Sequence, residues 1–301
     1  MNFAVLQGAA EQGFLYALVA LGLYVSYRTL DIADLTTDGS FTLGAACSAV
    51  LTAMGHPVLG IFAGIAAGAA AGFITAFLQT KLGVLPILAG IITMTGLYSV
   101  NLMVMGNKAN LPMLKADNIF TAAEKIFGAG AGKLICAAAL ALLVCVLLVL
   151  FLRTQLGLSL RATGDNRAMV AASSINPAFT TTVGLCIANA LVALSGGLVA
   201  QYQKFADISL GTGMVVIGLA SLIIGEVLVG RGGIVRGVAA AVLGAVVYRI
   251  LIAVALSSRV NANNLKLISA LIVAAAISYP AIRAKIAFYK LRKAGEKDAA
   301  N

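Results

Sequence analysis

The stretch DIADLTTDGSFTLGA, residues 31–45, interrupts a long apolar sequence with three aspartates and several hydroxyl side chains. A continuous membrane helix would turn Asp34 and Asp38 towards lipid, at about 2.5–3.5 kcal/mol each. We therefore predict a break between two helices here, with Asp38 or Ser40 capping the second helix. Non-helical backbone at that depth persists only where protein buries it or where it lines a wet cavity. The alternative is a polar loop that caps an ordinary helix at the membrane surface.

The composition around this break is that of a membrane protein. Hydrophobic residues make up 61% of the 301 residues and charged residues 11%, and the mean hydropathy is +1.00. Soluble domains carry about 25% charged residues. Apolar runs near the ~20 residues of a spanning helix recur along the chain, so we predict an all-α polytopic protein with about nine transmembrane helices. They cover about 4–27, 39–55, 58–80, 84–105, 132–152, 178–202, 211–230, 234–257 and 264–284, with long connections at 106–131 and 153–177.

Basic residues set the expected orientation of these helices. The net charge is +10, and we interpret it as a topology signal, with no nucleic-acid binding. With the C-terminal tail inside, nine crossings put the N-terminus outside, and thirteen lysines and arginines fall in inner connections against seven in outer ones. Arg249 lies within a helix and belongs to neither set, and eight or ten crossings are the alternatives. Segment 4–27 lacks a basic n-region and a cleavage site, so we expect a retained helix.

The sequence also contains an internal repeat at an offset of 173 residues. ALVAL recurs at 17–21 and 190–194, and GIFAGIAAG at 60–68 aligns with GIVRGVAAA at 233–241. In the predicted topology the first copy starts inward and the second outward. The sequence therefore predicts two inverted repeats of four helices, an architecture typical of transporters, with the pathway at the repeat interface.

The polar break has a counterpart in the second repeat. ADISLGTGM, residues 206–214, is also rich in glycine and hydroxyl side chains. A matched pair of interrupted helices is typical of a translocation pathway. The candidate pathway residues are Asp34, Thr36, Thr37, Asp38, Ser209 and Thr212.

Two acids inside apolar segments each have two interpretations. Glu11 is either a carboxylate at the outer interface, snorkelling or hydrogen-bonded to a neighbouring helix, or a pathway residue. Glu226 either forms a local ion pair with Arg231 or makes a coupling contact at the cytoplasmic face.

No motif for catalysis, nucleotide binding or metal binding is evident in the sequence. It has no GxxxxGK[ST] loop, and its one histidine, His56, argues against a catalytic triad. The four cysteines lie in apolar runs without a CxxC pair, as small buried hydrophobes do. We expect no enzyme activity and no cofactor, so uphill transport would need an ion gradient or another chain.

The segment RATGDNRAMVAASS, residues 161–174, is charged and rich in small side chains. Asp165 is a candidate N-cap of a short helix, and Pro177 follows its end. A short helix of small residues can approach a groove on another protein closely. The alternative is a solvated connector, and the residue pattern alone does not separate the two.

Three stretches resemble the membrane permeases of branched-chain amino acid ABC importers. QGAAEQGFLYALVALGLYVSYRTLDIADLTTDGSFTLGAA at 7–46 is similar to the first helices of that family. GLSLRATGDNRAMVAASSIN at 157–176 resembles its cytoplasmic coupling segment, and ALVALSGGLVAQYQKFADISLGTGM at 190–214 the part that follows. Ser174 stands where the family usually has glycine, and Arg167 where proline or an acid is common. These departures suggest a distinct subfamily, and DLTTDGSF is similar to permeases for hydrophobic or aromatic amino acids.

The resemblance implies a single permease domain over 1–301 in the cell (inner or plasma) membrane. Its expected parts are repeat one at about 4–105, a linking helix at 132–152, repeat two at 178–284 and a basic cytoplasmic tail at 285–301. The implied partners are a cytoplasmic ABC ATPase that binds the ATP, an extracytoplasmic binding protein, and a second permease, identical or paralogous. The implied ATPase contacts are Arg161, Gly164, Asp165, Asn166, Met169 and Ala172.

The expected function is the pore of an ATP-driven importer for a small solute, an amino acid of the branched-chain or aromatic type. An ion-coupled secondary transporter is the alternative, because inverted repeats and broken helices suit it equally. It would use Glu11 or Asp34 in coupling. A membrane scaffold or receptor subunit is a further alternative, although it gives no account of the paired breaks.

Overall fold

Long apolar helices form almost the whole described structure, as the composition predicts. The computed structural model describes residues 3–114, 116–128, 130–230 and 232–257, together with 267, 270–271, 273–275 and 278. The helices are α1 Phe3–Leu23, a π-helix Tyr24–Thr29, α2 Thr36–Ala53, α3 Pro57–Thr80, α4 Pro86–Val104, α5 Ile119–Phe127, α6 Gly132–Arg153, α7 Gln155–Asp165, α8 Arg167–Ala172, α9 Pro177–Gln203, α10 Met214–Val229 and α11 Ile234–Ser257. Strands β1 Asn110–Pro112 and β2 Phe205–Asp207 complete it.

Six of these helices are long and apolar enough to cross a membrane. They are α1 with the π-helix, α3, α4, α6, α9 and α11, whereas α10 is a shorter apolar helix. Helix α2 has 18 residues and is more polar than the six. The all-α membrane architecture is confirmed. The count of nine is not, because segment 264–284 lies largely outside the described residues.

Prolines and turns mark the helix boundaries. Pro57, Pro86 and Pro177 each occupy the first turn of a helix, where the missing N–H costs no hydrogen bond. The long connection 106–131 contains β1 and α5, which the sequence did not predict. β1 pairs antiparallel with β2, in the register Asn110↔Asp207.

The core of the bundle lies between α1 and α9. Every residue of 15–21 and of 195–201 is buried. Helices α2 and α3 pack along α9. A Cβ added at Gly44 would overlap the carbonyl oxygen of Ala193, and one at Gly72 the carbonyl oxygen of Leu185. Small residues therefore let three backbones approach closely, as in other membrane helix interfaces.

The first helix of each predicted repeat packs against the third helix of the other repeat. α1 packs along α11, and α9 packs along α3, while the pairs α2–α3 and α10–α11 are also in contact. An inverted repeat would produce this exchange. The contacts agree with the two-repeat prediction, and the exact division of the chain into repeats stays a prediction.

The bundle has two distinct ends, joined by α6. Its 22 residues extend about 33 Å at 1.5 Å per residue. At its start Gly132 packs against the carbonyl group of Ala123 in α5, and β1 and β2 lie at this same end. At its other end α6 leads into α7 and α8. We call these the strand end and the α7–α8 end.

Candidate translocation and docking sites

The first break, residues 30–35, is held by hydrogen bonds of Asp34. Its side chain is buried, and its Oδ1 accepts from the backbone N–H of Thr36 at 2.9 Å. Its Oδ2 accepts from Asn189 Nδ2 of α9 at 2.6 Å. Leu35 is the N-cap residue of α2 and makes no side-chain cap bond, so Asp34 satisfies the first N–H of the helix from within the protein core. The prediction that Asp38 or Ser40 caps this helix is wrong, because α2 already begins at Thr36 and both residues lie inside its first turns.

Hydroxyl side chains beside the break join α2 to its neighbours. Ser40 Oγ donates to Asn189 Oδ1 at 2.7 Å, so one amide side chain serves both Asp34 and Ser40. Thr36 Oγ1 and Thr75 Oγ1 of α3 lie 2.7 Å apart. Thr37 Oγ1 donates to the carbonyl oxygen of Asp34 at 3.2 Å. A polar network thus seats the start of α2 against α3 and α9.

The second break, residues 204–213, begins and ends with left-handed backbone. Lys204 has φ 61° and Gly213 has φ 85°. Between them lie β2 and a run of turns, in which the backbone N–H of Gly211 donates to Thr42 Oγ1 at 3.0 Å. The chain therefore returns from the strand end to the side of α2 before α10 begins.

Asp38 connects the two breaks. Its Oδ2 accepts from the N–H of Gly213 at 2.8 Å and its Oδ1 from the N–H of Val215 at 2.9 Å. These donors belong to the N-terminus of α10, where unpaired N–H groups and the helix dipole favour a carboxylate. The starts of the two interrupted helices are thus joined by one side chain.

The six candidate pathway residues differ in how far they are buried. Asp34, Thr36 and Thr37 are buried and bonded within the protein. Asp38 is half-buried at α10, whereas Ser209 and Thr212 are exposed. Ser209 donates through both Oγ and N to Asp207 Oδ1. The role of all six in translocation stays a prediction.

Asn189 is the residue of this site that the sequence analysis missed. It lies in the middle of the apolar helix α9 and is fully buried. Its polar side chain in such a helix was the available signal, because polar groups inside membrane helices are expensive unless paired.

Glu11 has two partners at the strand end. Its Oε2 accepts from the hydroxyl of Tyr202 in α9 at 2.7 Å, and its Oε1 from Gln7 Nε2 at 3.0 Å. The interpretation of Glu11 as a carboxylate bonded to a neighbouring helix is confirmed.

Glu226 forms an ion pair with a residue far away in sequence. Its Oε1 lies 2.9 Å from Arg28 Nε, which joins α10 to the π-helix. Arg231, the local partner considered above, lies outside the described residues.

The segment after α6 folds as two short helices rather than one. Asn166 has extended backbone, φ −157° and ψ 102°, and its Oδ1 accepts from the N–H of Met169 at 3.0 Å. Asn166 is therefore the N-cap of α8, and the prediction of Asp165 as that cap is wrong. Asp165 is the last residue of α7.

One side of the α7–α8 segment is anchored to the bundle. Thr163 Oγ1 lies 2.7 Å from Thr180 Oγ1 of α9, and Val170 is buried. A Cβ at Gly164 would overlap the carbonyl oxygen of Thr29, the last residue of the π-helix. Gly164 therefore contacts the chain's own backbone.

The other side of this segment is exposed. Of the implied ATPase contacts, the exposed residues are Arg161, Asp165, Asn166, Met169 and Ala172. Ser174, where the family usually has glycine, has φ 61°, in the left-handed region that glycine adopts at least cost. The glycine preference at this position thus has a backbone reason, and serine adopts the same turn.

Within the described part of the chain, no group of three or more histidine, cysteine or acidic side chains could hold a metal ion. The four cysteines are free and half-buried within helices.

Comparison with known proteins identifies the class of this chain. It matches the family described as branched-chain amino acid transport system, permease component, over residues 5–276. A solved ABC transporter chain, assigned to the metal-chelate type and captured in an inward-facing conformation, shares the fold. The TM-score is 0.51 at 18% identity, over 93% of this chain and 85% of that one. The protein is thus a multi-pass membrane permease of the ABC transporter class.

Two relatives place it more closely. The tyrosine transport system permease protein of Clostridioides difficile (strain R20291) is 35% identical over 265 residues, 88% of this chain and 87% of that protein. An uncharacterized protein of Rickettsia prowazekii (strain Madrid E) is 33% identical over 222 residues, 74% of this chain and 77% of that protein. The chain belongs to the family of branched-chain amino acid transport permeases, which confirms the resemblance found in the sequence.

Proposed function

We propose that this permease forms the pore of an ATP-driven importer for an amino acid of the branched-chain or aromatic type. Family membership supports an amino acid, and the tyrosine permease relative supports an aromatic one. The chain would have no enzyme activity and no cofactor of its own, and it would lie in the cell membrane.

The α7–α8 segment is the observation that carries the ATP-driven part of the proposal. Its inner side is fixed by Thr163, Gly164 and Val170, while Asn166 and Met169 on its outer side are exposed. A rigidly seated, exposed pair of short helices can transmit a push from a docked protein into the bundle. The proposed docked partner is a cytoplasmic ABC ATPase.

Two further partners belong to the same proposal and rest on membership of the permease family. Two ATPases would need two such segments, so we propose a permease dimer of two copies or two paralogues. An extracytoplasmic binding protein would deliver the solute at the strand end, where β1, β2 and α5 form an ordered surface.

The test compares one substitution at the two ends of the molecule. Ala172→Trp adds bulk to the exposed side of α8, and Ala109→Trp adds it at an exposed position of the strand end. Tagged permease is purified from native membranes in mild detergent, and vanadate-sensitive ATP hydrolysis is measured in the eluate. We expect wild type and Ala109→Trp to carry equal activity. Ala172→Trp should carry about tenfold less, equivalent to ~1.4 kcal/mol of lost binding.

Two results would contradict the proposal. Equal ATP hydrolysis in all three samples would remove the α7–α8 segment as the docking site. Folded wild-type protein without any ATPase, together with uptake driven by an ion gradient in proteoliposomes, would establish the ion-coupled alternative.

A further inference from the structure

Helices α1 and α11 touch along most of their length and then separate. A Cβ at Gly237 would lie 2.5 Å from the ring of Tyr24, the first residue of the π-helix that continues α1, and one at Gly13 2.7 Å from Val246 Cα. At Gly8, one and a half turns nearer the start of α1, an added Cβ meets no heavy atom of the described residues within 4 Å. Among the described residues, the two helices therefore flank an open cleft towards the strand end.

The cleft has a volume of about 460 Å³ and contains an arginine. Its walls are Gly8, Ala9 and Gln12 of α1 and Ala253 of α11, with Arg249 at its inner part. Arg249 lies eight residues before the end of α11, which is about 12 Å at 1.5 Å per residue. The positively charged Arg249 therefore lies inside the helical bundle, away from its strand end.

Arg249 has no anionic partner among the described residues. Its guanidinium lies over the ring of Tyr16, 3.7 Å from the centroid, and its buried Nε has no hydrogen-bond acceptor in this part of the chain. Glu11 forms no ion pair with Arg249 and is bonded to Gln7 and Tyr202, although Arg249 lies close enough for its charge to act on Tyr202. The acidic residues beyond the described part, Glu296 and Asp298, belong to the last six residues of the sequence.

The other charged side chains between helices differ from Arg249 in that each has a hydrogen-bond or ion-pair partner. Asp34, Asp38 and Glu226 each have named partners. A charge at membrane depth that forms no ion pair with any described residue is costly, and ionisable residues at that depth are functional by default. The fork of N–H donors of Arg249 matches a carboxylate.

We propose that Arg249 binds the carboxylate of the transported solute within this cleft, a step that rests on the proposed amino acid transport. The Tyr16 ring holds the guanidinium in place, and the Gln12 amide offers a second polar group. The small side chains of Gly8, Ala9 and Ala253 leave room for an apolar side chain of the solute. The depth of Arg249 favours a permeating solute over a lipid headgroup, which stays near the membrane surface.

Arginine labelling tests this site without a transport assay. Purified permease in phosphatidylcholine nanodiscs is treated with phenylglyoxal, and modification of Arg249 is followed by peptide mass spectrometry. L-leucine or L-tyrosine should slow labelling about threefold at twice its Kd. L-leucinamide, which lacks the carboxylate, should not. Arg28, which is paired with Glu226, is the internal reference and should be unaffected.

A second variant fills the cleft without touching the arginine. Gly8→Leu places a side chain into the open space and should remove the protection by L-leucine, with Arg28 labelling unchanged as evidence of the fold. Arg249 that resists labelling, equal protection by leucinamide, or no protection by either amino acid would overturn the proposal. Protection only by added phosphatidylglycerol would overturn it in favour of a lipid site.

The uptake assay separates this inference from the proposed function. Arg249→Gln should keep the co-purifying ATP hydrolysis and lose amino acid uptake. If no ATPase co-purifies with the wild type, the ATP-driven mechanism is contradicted. A positive labelling result would still support the carboxylate site at Arg249. Unchanged uptake by Arg249→Gln would overturn the role of Arg249.

Discussion

The two breaks in this permease lie side by side but are built differently. The first break is fixed by side chains deep in the protein, since Asp34 and Ser40 both bond to Asn189. The second is fixed by backbone turns, a two-stranded pairing with β1, and the single carboxylate of Asp38. Side-chain networks in a dry core tolerate little change, whereas a turn near water has solvent to replace a lost bond. The first break should therefore be the rigid one, and the second the one that can move.

The largest expected effect is at the centre of the first break. Asn189→Leu removes the partner of both Asp34 and Ser40, and each unsatisfied buried group costs about 1–3 kcal/mol. We expect a clearly lower melting temperature in detergent, measured by far-UV circular dichroism. Asn101→Leu is the matched control, because Asn101 donates only to the carbonyl oxygen of Gly39 and its Oδ1 has no partner among the described residues. An equal fall in melting temperature in both variants would show that the Asn189 network stabilises the protein no more than the single hydrogen bond of Asn101.

A smaller effect is expected where the two breaks meet. Asp38→Asn keeps one acceptor oxygen but loses the charge at the start of α10, which is worth about 1–2 kcal/mol. The same melting experiment should show a drop between those of the two asparagine variants. Asp31→Asn, at an exposed position with φ 55°, should have no effect. A drop as large as that of Asn189→Leu would mean that the second break is as rigid as the first.

The smallest effect is expected at the exposed part of the second break. The hydrogen bonds from Ser209 lower the pKa of Asp207 below its ordinary value. This stabilisation is present above the unfolded-state pKa of about 3.9 and is lost as the pH falls through the lower folded-state pKa. Ser209→Ala should therefore cost about 0.5 kcal/mol or less at neutral pH.

A pH series of melting temperatures tests this last expectation. The difference between wild type and Ser209→Ala should disappear as the pH falls below the folded-state pKa of Asp207. A difference that grows on acidification would contradict the assignment.

The lengths of the apolar runs were enough to place most of the long helices, but not the bonds between them. The runs at 58–80 and 178–202 agree closely with α3 and α9 because helix length is set by local apolar content. The start of α2 was predicted at about 39 and lies at Thr36, and the buried Asp34 before it bonds to an asparagine 155 residues away. Such pairings have no local signature.

The candidate sites were predictable to a similar degree. The exposed side of the α7–α8 segment agrees with its charged composition. Gly164 contacts Thr29, a packing relation that no property of residues 161–174 could reveal. The sequence shows Arg249 only as a charge inside a helix, because its stacking on Tyr16 and the absence of an ion pair with any described residue depend on how α1 and α11 pack.

The hydrogen bond between Ser40 and Asn189 also has a consequence for biosynthesis. Its two residues are 149 positions apart. At about 5–20 residues per second, α2 is made roughly 7–30 seconds before the middle of α9 leaves the ribosome. During that interval the bonds of Asp34 and Ser40 to Asn189 are missing, and a helix of this polarity has little reason to stay in lipid alone. The insertion machinery or its water-filled interior would have to hold α2 until α9 arrives, so this protein should be sensitive to anything that slows its translation between the two helices.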